Sequence, residues 1–152
     1  MSTTFTQDLQ FENELIEKIF IKQNFSNAHS LFIIKDYFKF FDVVFIGKTG
    51  SVTTVEVKID RLATKTGNIA LEYGYNGKLS GIEVSTSDCY CFVIEKTDNY
   101  ELNFIKTSEL KRIIAETEHR IVKGGDNKSA DIHLLPLTTI YDSLVKQVEA
   151  SK

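Results

Sequence analysis

The sequence predicts one α/β domain over residues 1–152, with a mixed, mainly antiparallel central sheet flanked by helices. A length of 152 residues suits one domain, and no linker, repeat or low-complexity segment divides the chain. Segments rich in aromatic and β-branched residues recur along most of the chain, as expected of strands. Helical periodicity appears at three places between or beside those segments.

The first predicted element is an amphipathic helix from Phe11 to Phe20, whose apolar residues fall on one stripe. Glu12 lies on or beside that stripe, since Leu15 and Ile16 follow it by three and four residues. The helix dipole favours an acid in the first turn. The same acid could instead reach over the sheet toward a site, and the sequence leaves both interpretations open.

Three strands are predicted next, with a tight turn at Gly47 to Gly50 between the second and the third. These strands are Leu31 to Ile34, Tyr37 to Ile46 and Ser51 to Asp60.

Two of these strands carry carboxylates among apolar neighbours. Because an isolated ionised acid is costly to bury, Asp42 and Glu56 must be paired, bound to a metal or exposed at a sheet edge. Glu56 and Lys58 share one strand face, and a hairpin would bring Asp42 alongside Glu56. A surface ion pair between Glu56 and Lys58, contributing only about 0.2–1 kcal/mol, would explain two of the three without any function.

The rest of the chain predicts a second hairpin, further strands and two helices. Asn76-Gly77 is a strong hairpin signal between a strand over Gly67 to Tyr75 and a return over Lys78 to Val84, although a helix over Ile69 to Tyr75 is an alternative. The remaining predictions are strands Cys89 to Glu95, Leu102 to Ile105 and Ile132 to Leu135, helices Thr107 to His119 and Thr138 to Val148, and a loop over Lys123 to Lys128.

Composition and net charge limit the binding partners and the cellular compartment that we expect for this protein. The net charge of −3 gives no general attraction to nucleic acid, although bound divalent cations would make a local field positive. No apolar run is long enough to span a membrane, and the first residues do not resemble a signal peptide. Cys89 and Cys91 are interpreted as buried structural thiols. We therefore expect a cytoplasmic protein without a membrane partner.

The acids and the lysine suit metal-assisted phosphodiester hydrolysis. That reaction needs an activated water and neutralisation of the charge that develops on the phosphate. Mg²⁺ prefers carboxylate oxygens, which Asp42 and Glu56 would supply, and the Val57 carbonyl could be a third ligand. Lys58 could hold the attacking water.

Asp42, followed by Glu56-Val57-Lys58 on the next strand, resembles the PD-(D/E)xK nuclease superfamily, although Phe41 replaces the leading proline. Its members include restriction enzymes, Holliday-junction resolvases and small phage-type endonucleases. The resemblance covers about Phe11 to Ile94. It implies a restriction-endonuclease-like core of a helix, three strands, an often helical crossover and a further strand.

The same resemblance implies a DNA endonuclease that uses Mg²⁺, with Mn²⁺ as a substitute, and works as a homodimer in a bacterial, archaeal or phage-infected cell. Asp42 and Glu56 would be metal ligands and Lys58 the catalytic lysine. Branched or junction DNA is the first substrate to test. The stretch Phe11-Glu12-Asn13-Glu14-Leu15-Ile16 is similar to the first-helix motif of the resolvases, which makes Glu12 the better candidate for an active-site glutamate and Glu14 the second.

Other residues are candidates for supporting roles. DNA backbone contacts are expected from Arg61, Lys65, Lys78 and Ser80, while Glu72 and Asn68 are accessory candidates. A solvated strand face or a turn would explain the same residues equally well. His29, His119 and His133 are scattered in the sequence and are not assigned to a metal. Two alternative functions stay open: an inactive nucleic-acid-binding module on the same fold, and an inhibitor or assembly protein.

Overall fold

Two β-sheets and four α-helices make up the part of the chain that the computed structural model describes, residues 3–22, 28–34 and 40–152. The helices are α1 (Thr3–Lys22), α2 (Ala63–Thr66), α3 (Thr107–Glu116) and α4 (Thr138–Tyr141). The strands are β1 (Ala28–Ile33), β2 (Val43–Gly47), β3 (Val52–Asp60), β4 (Asn68–Tyr75), β5 (Lys78–Leu79), β6 (Cys89–Glu95), β7 (Asn99–Lys106), β8 (Arg120–Gly124), β9 (Ala130–Pro136) and β10 (Lys146–Ser151). None of the described helices is both long enough and apolar enough to cross a membrane.

The larger sheet is mixed and mainly antiparallel, as predicted. Its six strands follow the order β1-β2-β3-β6-β7-β10, and only β3 and β6 run parallel to each other. Because parallel neighbours require a crossover, the chain leaves β3 and returns to β6 through α2, β4, β5 and a 3-10 turn over Gly81–Glu83. The smaller sheet, β5-β4-β9-β8, is antiparallel.

The two faces of the larger sheet bury separate cores. On one face, Ile16 and Phe20 of α1 share a core with Val55 and Val57 of β3, which confirms the predicted amphipathic helix in a longer form. On the other face, side chains of β6 pack against the smaller sheet and α3. Strand alternation places Glu56 and Lys58 on this second face, beside the second core.

The predicted second hairpin forms, but its return strand is much shorter than predicted. Residues 68–75 form a strand, and not the alternative helix. The return is only β5, since the chain then turns at Gly81, whose φ is +52°. A Cβ at Gly81 would overlap the backbone oxygen of Glu72, so this close approach requires glycine.

The predictions for the C-terminal third were partly wrong. The expected helix from Thr138 to Val148 ends at Tyr141, and β10 pairs with β7. Val148 and Ala150 pack into the first core at a period of two, which outweighs the helical pattern. The helix from Thr107 ends at Glu116 and not at His119. Strand β8 extends into the predicted loop from Lys123 because its backbone pairs with β9.

One other predicted strand is shorter than expected. Within Tyr37 to Ile46, β2 begins only at Val43, and residues 37–39 lie outside the described residues. The other predicted strands coincide with β1, β3, β6, β7 and β9 to within a few residues at their ends.

Candidate functional site

Asp42 lies immediately before β2, where the antiparallel pairing with β3 begins at Val43 and Val55. Continuing this register by one residue sets Asp42 opposite Glu56. The Asp42 backbone nitrogen donates to the Val55 oxygen at 2.9 Å. The Asp42 Oδ2 atom accepts from the Val57 nitrogen at 2.8 Å. These bonds place the carboxylate against the middle of β3.

Glu56 has one satisfied and one unsatisfied carboxylate oxygen. Its Oε1 atom is 3.2 Å from Lys58 Nζ. Its Oε2 atom is buried and has no hydrogen-bond partner within the described part of the chain. Buried polar atoms without a partner are rare and destabilise the fold by about 1–3 kcal/mol, more when charged. Glu56 therefore has one oxygen available for a further ligand.

Burial and neighbouring charges raise the pKa of both acids. Burial, reinforced by the charge of Glu56, raises the pKa of Asp42 to about 6 against the opposing effects of the Val57 hydrogen bond and Lys58. Burial also raises the pKa of Glu56, where Lys58 opposes the shift and Glu12 adds to it. A cation bound between the carboxylates would relieve this repulsion.

Lys58 keeps its proton at neutral pH. Burial favours the neutral amine, but the negative charge of Glu56 outweighs it, and the pKa of Lys58 rises above its ordinary value. The Lys58 side chain as a whole is 41% exposed. A protonated lysine can donate hydrogen bonds to a water or a phosphate oxygen, but it cannot remove a proton from that water.

The donor set fits a hard divalent cation. In a strand the N–H and C=O of one residue point to the same edge, so the Val57 carbonyl faces the side on which its N–H meets Asp42. Carboxylate and carbonyl oxygens suit Mg²⁺, which commonly binds one or two carboxylates and keeps several waters. Among the described residues, no group of three or more His, Cys, Asp or Glu side chains could hold a metal. Water and substrate oxygens would therefore complete the coordination.

The structure separates the two glutamates of the first helix. Glu12 is exposed on α1, yet its charge acts on Glu56. Glu14 is also exposed, and its Oε1 atom accepts from Gln10 Nε2 at 3.0 Å along the same helix. Of these two helix residues, Glu12 thus has an electrostatic link to Glu56, which together with Asp42 forms the acid pair.

The predicted supporting residues already have local contacts or lie exposed. Arg61 Nε is 3.5 Å from Glu95 Oε2. Ser80 Oγ donates to Glu72 Oε2 at 2.7 Å, so these two side chains satisfy each other. The remaining supporting candidates are Lys65 and Lys78, both exposed, and Asn68, whose backbone nitrogen donates to Thr66 Oγ1 at 3.2 Å.

Two of the three histidines lie close together in the fold. His119 and His133 are distant in sequence but adjacent in space, with His119 Nε2 2.7 Å from His133 Nδ1. Tyr73 stacks on His133 at a centroid distance of 4.2 Å. Pairing of β8 with β9 causes this proximity. The side chain of His29 lies outside the described part of the structure. Cys89 is half-buried, Cys91 is buried, and both are free thiols.

Sequence reasoning assigned no role to Tyr90 or Ser85, which border the acid pair. Tyr90 is buried on β6 directly beside Glu56 in the parallel register. Burial, with the charges of Glu56 and Asp42, raises the pKa of Tyr90 to about 12. The alternation of side chains along the strand could have predicted the sheet face on which Tyr90 lies, but only the pairing of β3 with β6 brings it to the site.

Comparisons with known proteins assign no family to this geometry. No protein-family model, curated protein or solved structure matches the chain. The chemistry of the acid pair therefore has to be argued from its own side chains.

Proposed function

We propose that this protein is a DNA endonuclease of the PD-(D/E)xK type that uses Mg²⁺, or Mn²⁺ as a substitute. The observation that carries the proposal is the buried Glu56 Oε2 atom without a partner, on the carboxylate opposite Asp42 in the strand register. An unsatisfied buried carboxylate oxygen in a folded protein calls for a ligand. Lys58 on the same face adds the cation that such a site requires.

The order of the elements supports the same family. Helix α1 precedes the antiparallel strands β1, β2 and β3, and a crossover leads to β6, which is parallel to β3. This is the arrangement expected of a restriction-endonuclease-like core. The crossover differs from the often helical one, since most of it is the β4–β5 hairpin.

Each site residue then has a defined task. Asp42, Glu56 and the Val57 carbonyl would hold the ion, which when bound supplies positive charge and a more acidic water. Lys58, protonated at neutral pH, donates a hydrogen bond to the attacking water or to a phosphate oxygen. Glu12 adds negative charge near Glu56 and thereby strengthens its attraction for a cation.

DNA binding would depend on local and not on net charge. Arg61, Lys65 and Lys78 are the proposed phosphate contacts, and Arg61 would have to exchange Glu95 for the phosphate. A two-fold dimer would allow two strands of a branched or junction substrate to be cut symmetrically. We place this activity in the cytoplasm of a bacterial, archaeal or phage-infected cell.

The second candidate is a nucleic-acid-binding module that has the fold without the chemistry. It is favoured by the small ligand set, since the described residues contain no group of three metal-binding side chains.

A cleavage assay separates the two candidates. Plasmid, single-stranded and four-way-junction DNA are incubated with Mg²⁺ or Mn²⁺ and the wild-type protein, Glu56→Gln, Lys58→Met or Glu101→Gln. Glu101 is the matched control, because it is a buried glutamate paired with a lysine on the same sheet face. We expect cleavage that falls by about 10²–10³ or more in the first two variants and persists in the third.

The other outcomes are equally informative. DNA binding without cleavage by the wild type would favour the binding module. Cleavage that survives in Glu56→Gln and Lys58→Met would come from another site or a contaminant, and it would contradict the proposal. A wild-type protein that neither binds nor cleaves DNA would favour an inhibitor or assembly protein.

A further inference from the structure

A chain of buried hydroxyl groups borders the acid pair. Ser87 Oγ is 2.9 Å from Ser85 Oγ and 3.2 Å from Thr107 Oγ1. Tyr90 is buried beside this chain, and its interaction with Ser85 opposes the rise that burial causes in the Tyr90 pKa. All four side chains are almost completely buried, so these contacts replace water and fix the groups relative to one another.

Ser85 connects this chain to the backbone that carries Asp42. Its Oγ atom donates to the Phe40 carbonyl oxygen at 3.2 Å, two residues before Asp42. A carbonyl oxygen only accepts, so the single hydroxyl proton of Ser85 goes to Phe40. Ser85 Oγ then accepts from Ser87, whose backbone nitrogen and Oγ atom lie at 3.3 and 2.9 Å. The direction of the contact from Ser85 to Phe40 is therefore fixed.

The opposite end of this connection is anchored beside Glu56. Tyr90 lies next to Glu56 in the β3–β6 ladder, and both side chains point to the same face. Tyr90 thus lies beside the Glu56 carboxylate, and Ser85 holds the segment that carries the Asp42 carboxylate.

We propose that Ser85 and Tyr90 are positioning residues, which hold Asp42 at the separation from Glu56 that one divalent cation requires. Asp42 needs such support because it precedes the first residue of β2 and faces a like charge. The inference rests on the proposed function for its purpose, but the positioning itself is a property of the metal-free protein.

The first test measures Mn²⁺ binding by titration calorimetry in Ser85→Ala, Tyr90→Phe and Ser87→Ala. Ser87 is the matched control, because it belongs to the same buried chain and no described hydrogen bond links it to Phe40 or Tyr90. We expect Kd to rise by about 10–100-fold in Ser85→Ala, as for residues that orient metal ligands, less in Tyr90→Phe, and not at all in Ser87→Ala. Urea midpoints show whether the two alanine variants lose comparable stability. An equal rise of Kd in both would mean general loosening and would overturn the inference.

The second test needs no metal. Amide hydrogen exchange is followed at Asp42, which donates to Val55, and at Val57, which donates to Asp42. We expect exchange at both amides to accelerate by about tenfold or more in Ser85→Ala, and to stay at the wild-type rate in Ser87→Ala. If Ser85→Ala does not fold, Tyr90→Phe replaces it, with a smaller acceleration expected.

The two tests separate this inference from the proposed function. A wild-type protein that binds no Mn²⁺, with accelerated exchange in Ser85→Ala, would end the nuclease proposal and leave the positioning role intact. Exchange at Asp42 and Val57 that is the same in Ser85→Ala as in Ser87→Ala would overturn the positioning role, whatever the activity.

Discussion

Glu56 and Glu101, on one face of the larger sheet, differ in how their carboxylate oxygens are satisfied. Glu101 on β7 accepts from Lys96 at 2.7 Å through Oε2, and from Asn103 and Tyr141, each at 3.1 Å, through Oε1. Glu56 on β3 has one lysine at 3.2 Å and an unsatisfied second oxygen.

The pKa shifts of the two acids run in opposite directions. Burial disfavours the charge of Glu101, but hydrogen bonds from Lys96, Asn103 and Tyr141 outweigh it and lower its pKa. At Glu56 burial prevails and the pKa rises. The same sheet thus shows what a structural glutamate–lysine pair looks like, and Glu56 with Lys58 does not match it. Under the proposed function, this lost stability is what a cation site gives up in the empty protein.

The largest expected effect on stability is at Glu101. Glu101→Gln removes the charge that Lys96 contacts and one acceptor of the network, so the free energy of unfolding should fall by about 2–3 kcal/mol at pH 7. Urea denaturation measures the change, and Lys96→Met is the companion variant. A Glu101→Gln protein as stable as the wild type would remove the basis of the comparison.

A smaller effect of opposite sign is expected at the acid pair. Asp42→Asn keeps an oxygen that can accept from Val57 and removes a charge that is unfavourable in the fold. We expect the free energy of unfolding at pH 7 to rise by about 1–2 kcal/mol. Destabilisation by Asp42→Asn in the same urea experiment would show that this carboxylate serves the fold.

The smallest effect is the pH dependence that separates the two acids. The pKa of Asp42 is raised from 3.8 to about 6 in the fold, so its unfavourable contribution develops as pH rises through that interval. The advantage of Asp42→Asn should therefore be complete above about pH 6 and absent below about pH 4.

The pKa of Glu101 is lowered from 4.5, so its stabilisation is present above that value and is lost as the pH falls below it. Unfolding curves between pH 3 and pH 8 should show these two windows, and identical pH profiles for both variants would contradict the assignment.

Local patterns predicted much of the fold around the site. The apolar stripe of α1 and the alternation of Val55 and Val57 with Glu56 and Lys58 are visible in the sequence, and the structure has both. These features depend on residues at most a few positions apart, so periodicity is enough to find them.

Other features depend on contacts between distant segments and could not be predicted. The parallel pairing of β3 with β6 brings Tyr90 beside Glu56, and no local pattern encodes that register. The smaller sheet forms by pairing of β4 with β9, and β10 pairs with β7. Both pairings join segments that are far apart in the sequence. The helical pattern over Thr138 to Val148 was overridden by that tertiary packing.

Binding of Mn²⁺ to the metal-free wild-type protein, Glu56→Gln and Glu101→Gln, followed by titration calorimetry, tests the central claim most directly. The unsatisfied Glu56 oxygen predicts a saturable site in the wild type that weakens by about 100-fold or more in Glu56→Gln and is unchanged in Glu101→Gln. A wild-type protein that binds no Mn²⁺, or a Glu56→Gln variant that binds it as tightly as the wild type, would contradict the account.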